Sequence, residues 1–442
     1  YRRCKPSCNL CSHIAYFKTT DFATCLQLPE DFKDFVASHS AGKGPTDAFM
    51  AHCHRELLHE QWRILLDDEF LDAYEHGIVV TCCDGIKRRF YPRIFTYSAD
   101  YPERQVHHIE HPLDASIRNL GRCPCPRCLI QLSEAPNMGT TSDMSARVRL
   151  IRVDDNVRRW KVSNARRLIY DKNYSVNSTV IDNLLKEESL VPVSNAFSDR
   201  LGPLGFDFHP MLVNDIMHEV ELGVWKSVFI HLLRILDCIS KDAVRELDRR
   251  FRVTPTFGRD TIRRFSSNCS ELKQLAAHDY EDILQCSIPA FEGLLPEPHN
   301  KVLMDLLFVF AQWHGLAKLR MHTDETLELM DGVTADVGRI TRTFLTTTCV
   351  QYETRESVRE AASRRRRQAR QQSQEKASSN PSHAAADSAR RPKTLNLETF
   401  KYHALGDYTM TIRRYGTTDS YSTQPNTGRR KDDIAGLVES TS

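Results

Sequence analysis

Residues 211–236 read MLVNDIMHEVELGVWKSVFIHLLRIL, and the spacing of their apolar side chains decides what most of the chain is. Leu212, Ile216, Val220, Val224, Val228 and Leu232 recur at every fourth position, with Trp225, Phe229 and Leu236 beside them. Side chains four apart lie over one another on a helix, so the stretch is expected to be one helix with a broad apolar face. That face is aliphatic and aromatic throughout and reads as core. Lys226, His231 and Arg234 interrupt it, which excludes a membrane span.

The same period extends outward. Residues 303–319 and 326–344 are further amphipathic helices, and the chain reads as mostly helical from about 144 to 352. Upstream, residues 47–66 (DAFMAHCHRELLHEQWRILL) repeat apolar side chains at helical spacing, and a second helix is expected at 70–76. The period then changes. Residues 77–83 are β-branched and apolar, Asp84-Gly85 is a hairpin signal, and strand-like runs follow at 86–91 and 93–97. The last run leads into Ser98-Ala99-Asp100. An acid just past a buried strand is held by the strand yet open to substrate, although Asp is also an ordinary turn residue.

Composition narrows the class without naming it. The 442 residues carry 60 Lys and Arg against 58 Asp and Glu, so any nucleic-acid-binding surface must be local rather than global. Fourteen cysteines could form a disulfide framework, but the opening residues Tyr1-Arg2-Arg3-Cys4-Lys5-Pro6 have no apolar leader. Thiols in a reducing compartment, some of them on metal, are therefore expected. Arg364, Arg365, Arg366 and Arg367 stand in a segment otherwise rich in Gln, Ser, Ala and Pro. Residues 355–393 read as a disordered basic linker whose arginines either touch DNA phosphates or are simply solvated.

Two cysteine groups suggest metal. Cys4, Cys8, Cys11 and His13 lack a matching partner pair and read as ordinary thiols. Cys125-Pro126-Arg127-Cys128 is sharper, because two thiolates at this spacing fit adjacent corners of a tetrahedral zinc, with Cys123 as a substitute ligand. No second knuckle follows nearby, so further ligands would come from distant sequence. Asp215, His218 and Glu219 form a competing set, with Asp215 and Glu219 four apart on one helical face.

Three blocks of words carry a resemblance. The first holds Cys83-Asp84-Gly85-Ile86, Arg88-Arg89-Phe90-Tyr91-Pro92, Ser98-Ala99-Asp100-Tyr101-Pro102-Glu103 and the Cys125/Cys128 knuckle. The second holds Asp215-Ile216-Met217-His218-Glu219 and Glu221-Leu222-Gly223-Val224-Trp225-Lys226. The third runs from Thr256-Phe257-Gly258-Arg259-Asp260 through Phe291-Glu292-Gly293-Leu294-Leu295-Pro296 to Trp313-His314-Gly315-Leu316-Ala317-Lys318. Together they resemble the Plavaka-type transposases of basidiomycete fungi, relatives of the CACTA and KDZ groups, over about residues 28–424.

The resemblance implies a DDE triad on an RNase H-like fold, with Mg or Mn ions between the carboxylates and transposon-end DNA as substrate. Asp100 matches the second acid. The late word Lys401-Tyr402-His403-Ala404-Leu405-Gly406-Asp407-Tyr408 matches one that completes a zinc site in relatives, which makes Cys125, Cys128, His403 and Asp407 the expected structural zinc ligands. Asp215 or Glu219 is the alternative for the third acid. The first Asp and the final Glu have no counterpart in this sequence, so the chain is expected to be a truncated or decayed copy, nuclear if expressed and catalytically defective.

The expected fold class is α+β to mostly α. It has an irregular segment at 1–45, a partial RNase H-like core with the knuckle at 46–143, a helical insertion at 144–354, the linker at 355–393, a return to the core at 394–424 and a disordered tail at 425–442. No membrane partner is expected, and a homo-oligomer is compatible with the reading. The alternatives are a non-catalytic, zinc-stapled DNA- or protein-binding remnant and a zinc-stabilised helical protein unrelated to DNA.

Overall fold

A computed structural model describes residues 31–97, 117, 121–258, 261–272, 275–375 and 389–423, with short stretches at 19–20, 24–26 and 28–29. The described chain is mostly helical with a small β component. In order it runs β1 (Thr19–Thr20), β2 (Thr24–Leu26), α1 (Phe32–His39), α2 (Asp47–Leu65), α3 (Asp68–His76), β3 (Ile78–Thr81) and β4 (Lys87–Phe90). Then come α4 (Thr141–Arg149), α5 (Asn156–Tyr170), α6 (Thr179–Leu185), α7 (Ala196–Leu201), a π-helix (Ile216–Trp225), α8 (Lys226–Ile239), α9 (Lys241–Val253) and α10 (Ala277–Phe291). The last helices are α11 (His299–Ala317), α12 (Asp324–Thr343), α13 (Val358–Glu375), α14 (Phe400–Ala404) and α15 (Tyr408–Tyr415). Contacts divide the chain into two units, one of residues 1–132 and 149–213, the other of residues 133–148 and 214–442.

In the first unit the helices begin where the sequence supplies caps. Thr46 accepts from the Phe49 amide and Asp67 from the Phe70 amide, satisfying donors that the first turns of α2 and α3 leave unpaired. α3 stops at Gly77, whose φ of 75° and close approach to Arg89 and Phe90 leave no room for a Cβ. β3 and β4 pair antiparallel from Ile78↔Phe90 to Thr81↔Lys87. The turn is wider than the two residues that Asp84-Gly85 suggests, since the Cys82 amide donates to the Ile86 carbonyl at 3.0 Å. β3 lies open to solvent: Ile78, Val79 and Val80 are all exposed. Among the described residues, strands form only two two-stranded ribbons, β1 with β2 and β3 with β4. The core of this unit instead gathers Leu66, Phe197, Leu201, Phe208, Met211 and Leu212 around Trp62 and Tyr97.

The second unit is built on the segment quoted at the outset. Val220, Val224, Val228, Leu232 and Leu236 are all buried, as a core stripe requires. One end of the expected helix is corrected. Residues 213–215 have no regular structure, and the helix starts at Ile216 because the Asp215 carboxylate caps it through the His218 amide. The first ten residues wind as a π-helix before α8 takes over. A period of four overshoots the ~3.6 residues of an α-turn, so a strictly four-spaced ridge stays straighter on a wider helix.

α10, α11 and α12 close around this ridge. Trp225 donates its indole N–H to the Tyr280 carbonyl at 2.8 Å, and Trp313 donates to Thr334 Oγ1 at 2.9 Å. Both rings are thus buried without stranding a donor. Residues 133–148 belong to this unit because the loop before α4 lies against α12. A Cβ on Gly338 would sit 2.1 Å from the Met138 carbonyl oxygen, which only glycine permits.

The basic segment differs from expectation over its first half. Residues 358–375 form α13. Arg, Gln, Ala and Glu are strong helix formers, and a helix without an apolar stripe leaves no periodic signal. Glu360 pairs with Arg234 and Glu356 with Arg364, which ties the helix start to the body.

Candidate metal centre

Cys125 and Cys128 come together in the first unit. Both are buried, and their sulfurs lie within 4.8 Å of one another. The Arg127 amide donates to Cys125 Sγ at 3.4 Å, a bond that favours thiolate over thiol. The loop is pinned by the Arg152 amide on the Arg127 carbonyl and the Leu129 amide on the Leu150 carbonyl, both at 2.8 Å. Arg127 itself reaches the Leu212 carbonyl at 3.0 Å.

Arg152 organises this loop. Its buried guanidinium donates to the carbonyls of Cys123 (2.7 Å), Cys125 (2.8 Å), Cys128 (3.1 Å) and Glu188 (2.8 Å). Burial lowers its pKa, and the neighbouring cysteine sulfurs and Glu188 oppose that shift. A buried cation bonded to four carbonyls supplies positive potential where two thiolates would gather, so the donor set suits a soft, thiolate-bound metal such as zinc. His209, buried beneath, places Nδ1 2.9 Å from the Pro126 carbonyl. Burial, with Arg158 and Arg152 nearby, holds its pKa well below the usual value, so it is the neutral imidazole that donates there. Cys123 differs from its neighbours. It donates its S–H to the Leu129 and Glu187 carbonyls at 3.2 and 3.4 Å, and burial raises its pKa, so it is a thiol.

His403 and Asp407 fall in the second unit, on α14 and the turn after it, both buried. What gathers them is Arg147 of α4. Its Nε meets Asp143 at 2.9 Å, Nη1 meets Asp407 Oδ1 at 2.6 Å, and Nη2 meets the His403 carbonyl at 2.9 Å and ring Nδ1 at 3.1 Å. Burial works against this charge, but Asp407 and Asp143 outweigh it and raise the guanidinium pKa. A Cβ on Gly406 would lie 2.5 Å from Arg147 Cζ, so the glycine is what lets the guanidinium lie against this turn. One oxygen of the expected ligand Asp407 is thus committed to an ion pair.

The competing acids are also in use. Asp215 accepts from His218 Nδ1 (2.5 Å), Thr423 Oγ1 (2.7 Å), the Thr423 amide (3.1 Å) and Ser422 Oγ (3.4 Å). Burial would raise its pKa, but these donors and the His218 ring overcome that and lower it. Glu219 is buried and accepts from Tyr408. Arg364 pairs with Glu356, while Arg365, Arg366 and Arg367 are exposed on α13. Asp100 and the Cys4, Cys8, Cys11, His13 group lie outside the described residues.

Sequence reasoning passed over Arg147 and Arg152. Both sit in RVRLIRVDD, a mixed run with no motif of its own, and their partners are mostly remote carboxylates or backbone carbonyls. Only a buried position for arginine in a short apolar run could have hinted at them.

The family model described as Plavaka transposase matches residues 3–233, just over half of the chain, and the protein belongs to that family. The match spans the first unit and continues into α8 of the second, so it contains both the knuckle and Asp215 with His218. No curated protein and no solved structure matches the chain.

Proposed function

We propose that this chain is a DNA-binding remnant of a DDE transposase, RNase H-like by descent, whose strand-cutting step is defective. The observation that carries this reading is the state of its buried acids. Asp143 and Asp407 both pair with Arg147, and Asp215 is enclosed by His218 and Thr423. Carboxylates held this way serve as structural ties, whereas two-ion phosphoryl transfer needs acids converging on an open face. Asp100 is the remaining candidate from the triad. Mg or Mn belongs to the ancestral reaction.

In the same reading Cys125 and Cys128 hold a structural zinc. Exposed Arg365, Arg366 and Arg367 meet DNA phosphates in the nucleus. Zinc would supply structural cross-linking and no chemistry.

The test uses the full chain with supercoiled plasmid carrying the ends of its own transposon, in Mg2+ or Mn2+. The expected result is binding without nicking beyond that of Asp100→Ala. Replacing the three arginines by alanine is expected to reduce the salt slope of log K by about three, which is about 40-fold in affinity between 50 and 200 mM salt. Metal-dependent nicking abolished by Asp100→Ala would show a working enzyme. Absence of DNA binding at low salt would favour the protein-binding alternative.

A further inference from the structure

A second cluster, unrelated to the knuckle, lies inside the second unit. Glu221 of the π-helix, Glu281 of α10 and His314 of α11 converge so that one ligand atom from each lies within 4.8 Å of the others. His314 Nε2 is 3.1 Å from Glu221 Oε1. Lys318, just past the end of α11, places its ammonium 3.1 Å from the same oxygen and 2.7 Å from Glu281 Oε1.

We propose that Glu221, Glu281 and His314 form a divalent-cation site in which the Lys318 ammonium is a displaceable occupant. Three observations support it. The first is charge: two carboxylates converge on a single ammonium. The second is an orphaned oxygen. Glu221 is 1% exposed, and its Oε2 is buried with no hydrogen-bond partner. A carboxyl oxygen left bare in the interior is costly, and a dication is one of the few partners that would satisfy it.

The third is a way out for the occupant. The Lys318 side chain is 23% exposed and hangs from a helix end, so the ammonium can swing into water when a metal enters. A dication against two carboxylates then balances the cluster. Carboxylates with one imidazole suit Mn2+ and Zn2+, whereas the knuckle's thiolates select zinc. The bound ion would cross-link the π-helix to α10 and α11, whether or not the protein cuts DNA.

Mn2+ is the probe, because thiolates compete poorly for it. The full chain, freed of metal with EDTA and carrying Asp100→Asn to silence any ancestral site, is titrated with MnCl2 while free Mn2+ is followed by electron paramagnetic resonance. One Mn2+ per chain is expected, weakened about 10- to 100-fold by Glu281→Gln and unaffected by Cys125→Ser with Cys128→Ser. Lys318→Met should tighten binding at least about tenfold, since it removes the competing cation; a merely structural lysine gives no such gain. Glu281 lies at the partly exposed rim, so its variant is the safer fold, and circular dichroism checks it. The proposal is overturned if the starting chain binds no Mn2+, if Glu281→Gln binds as well as that chain, or if Lys318→Met fails to tighten binding.

Discussion

Arg147→Met removes a single cation from beneath two buried acids. The side chains of Asp143 and Asp407 are 1% and 2% exposed, and that of Arg147 is 3% exposed. With the guanidinium gone, both carboxylates remain in the interior without their counter-ion, and the His403 carbonyl loses a donor. Breaking a buried pair in this way costs about 3–5 kcal/mol, far more than a surface pair contributes. The change should appear in urea unfolding followed by circular dichroism. At a slope of about 2 kcal/mol per M, the midpoint of the second unit falls by about 1.5–2.5 M.

A second arm separates charge from packing. Adding Asp143→Leu and Asp407→Leu removes the stranded acids and should recover much of the loss, because apolar replacement of a whole buried ion cluster is often neutral or better. If Arg147→Met shifts the midpoint by less than about 0.5 M, the cluster is not the tie inferred here.

Two further outcomes follow from buried groups. His231 is 1% exposed with neither ring nitrogen partnered, and burial, with Arg234 nearby, lowers its pKa to about 4 from 6.5. Its folded pKa lies below its unfolded one, so it adds nothing to the pH dependence above about 6.5. As pH falls toward 4 it removes up to roughly 3 kcal/mol, because the unfolded chain takes the proton first. His231→Leu should flatten that part of the stability profile, and an unchanged profile would refute the assignment. Burial pushes the thiols of Cys269 and Cys286 up to about 12 and about 11, with nearby acids adding to it, while Cys83 is exposed. Iodoacetamide at pH 8 should label Cys83 in the folded chain and the other two only in urea, as peptide mass spectrometry would read; early labelling of Cys269 would contradict its burial.

The sequence made some of this plain. Helices α2, α3, α11 and α12 stand within a few residues of where apolar spacing put them, because that signal is local. The knuckle was equally plain, since two cysteines three apart are legible as a pair before any fold is known. Family membership came from long shared words rather than from physics. What escaped was non-local or polar. Arg147 and Asp407 are 260 positions apart, and no local pattern announces such a pair. The exposure of β3 was not legible, because β-branched residues mark a strand without saying what covers it. α13 went unseen because a search for apolar periodicity passes over a helix made of arginine and glutamine.

The π-helix at Ile216–Trp225 has a consequence for how the chain can change length. Bonds from i to i+5 hold more residues in each turn than an α-helix does, so the segment carries slack. A residue lost there can be absorbed by tightening toward α geometry while the two ends stay in place. Inside α8 there is no such reserve, and each lost residue would rotate everything beyond it by about 100°. Phe344–Thr348, wound the same way after α12, offers a second reserve. Where a residue is deleted, these two stretches are where the second unit can take up the loss without turning its core-facing ridges away from one another.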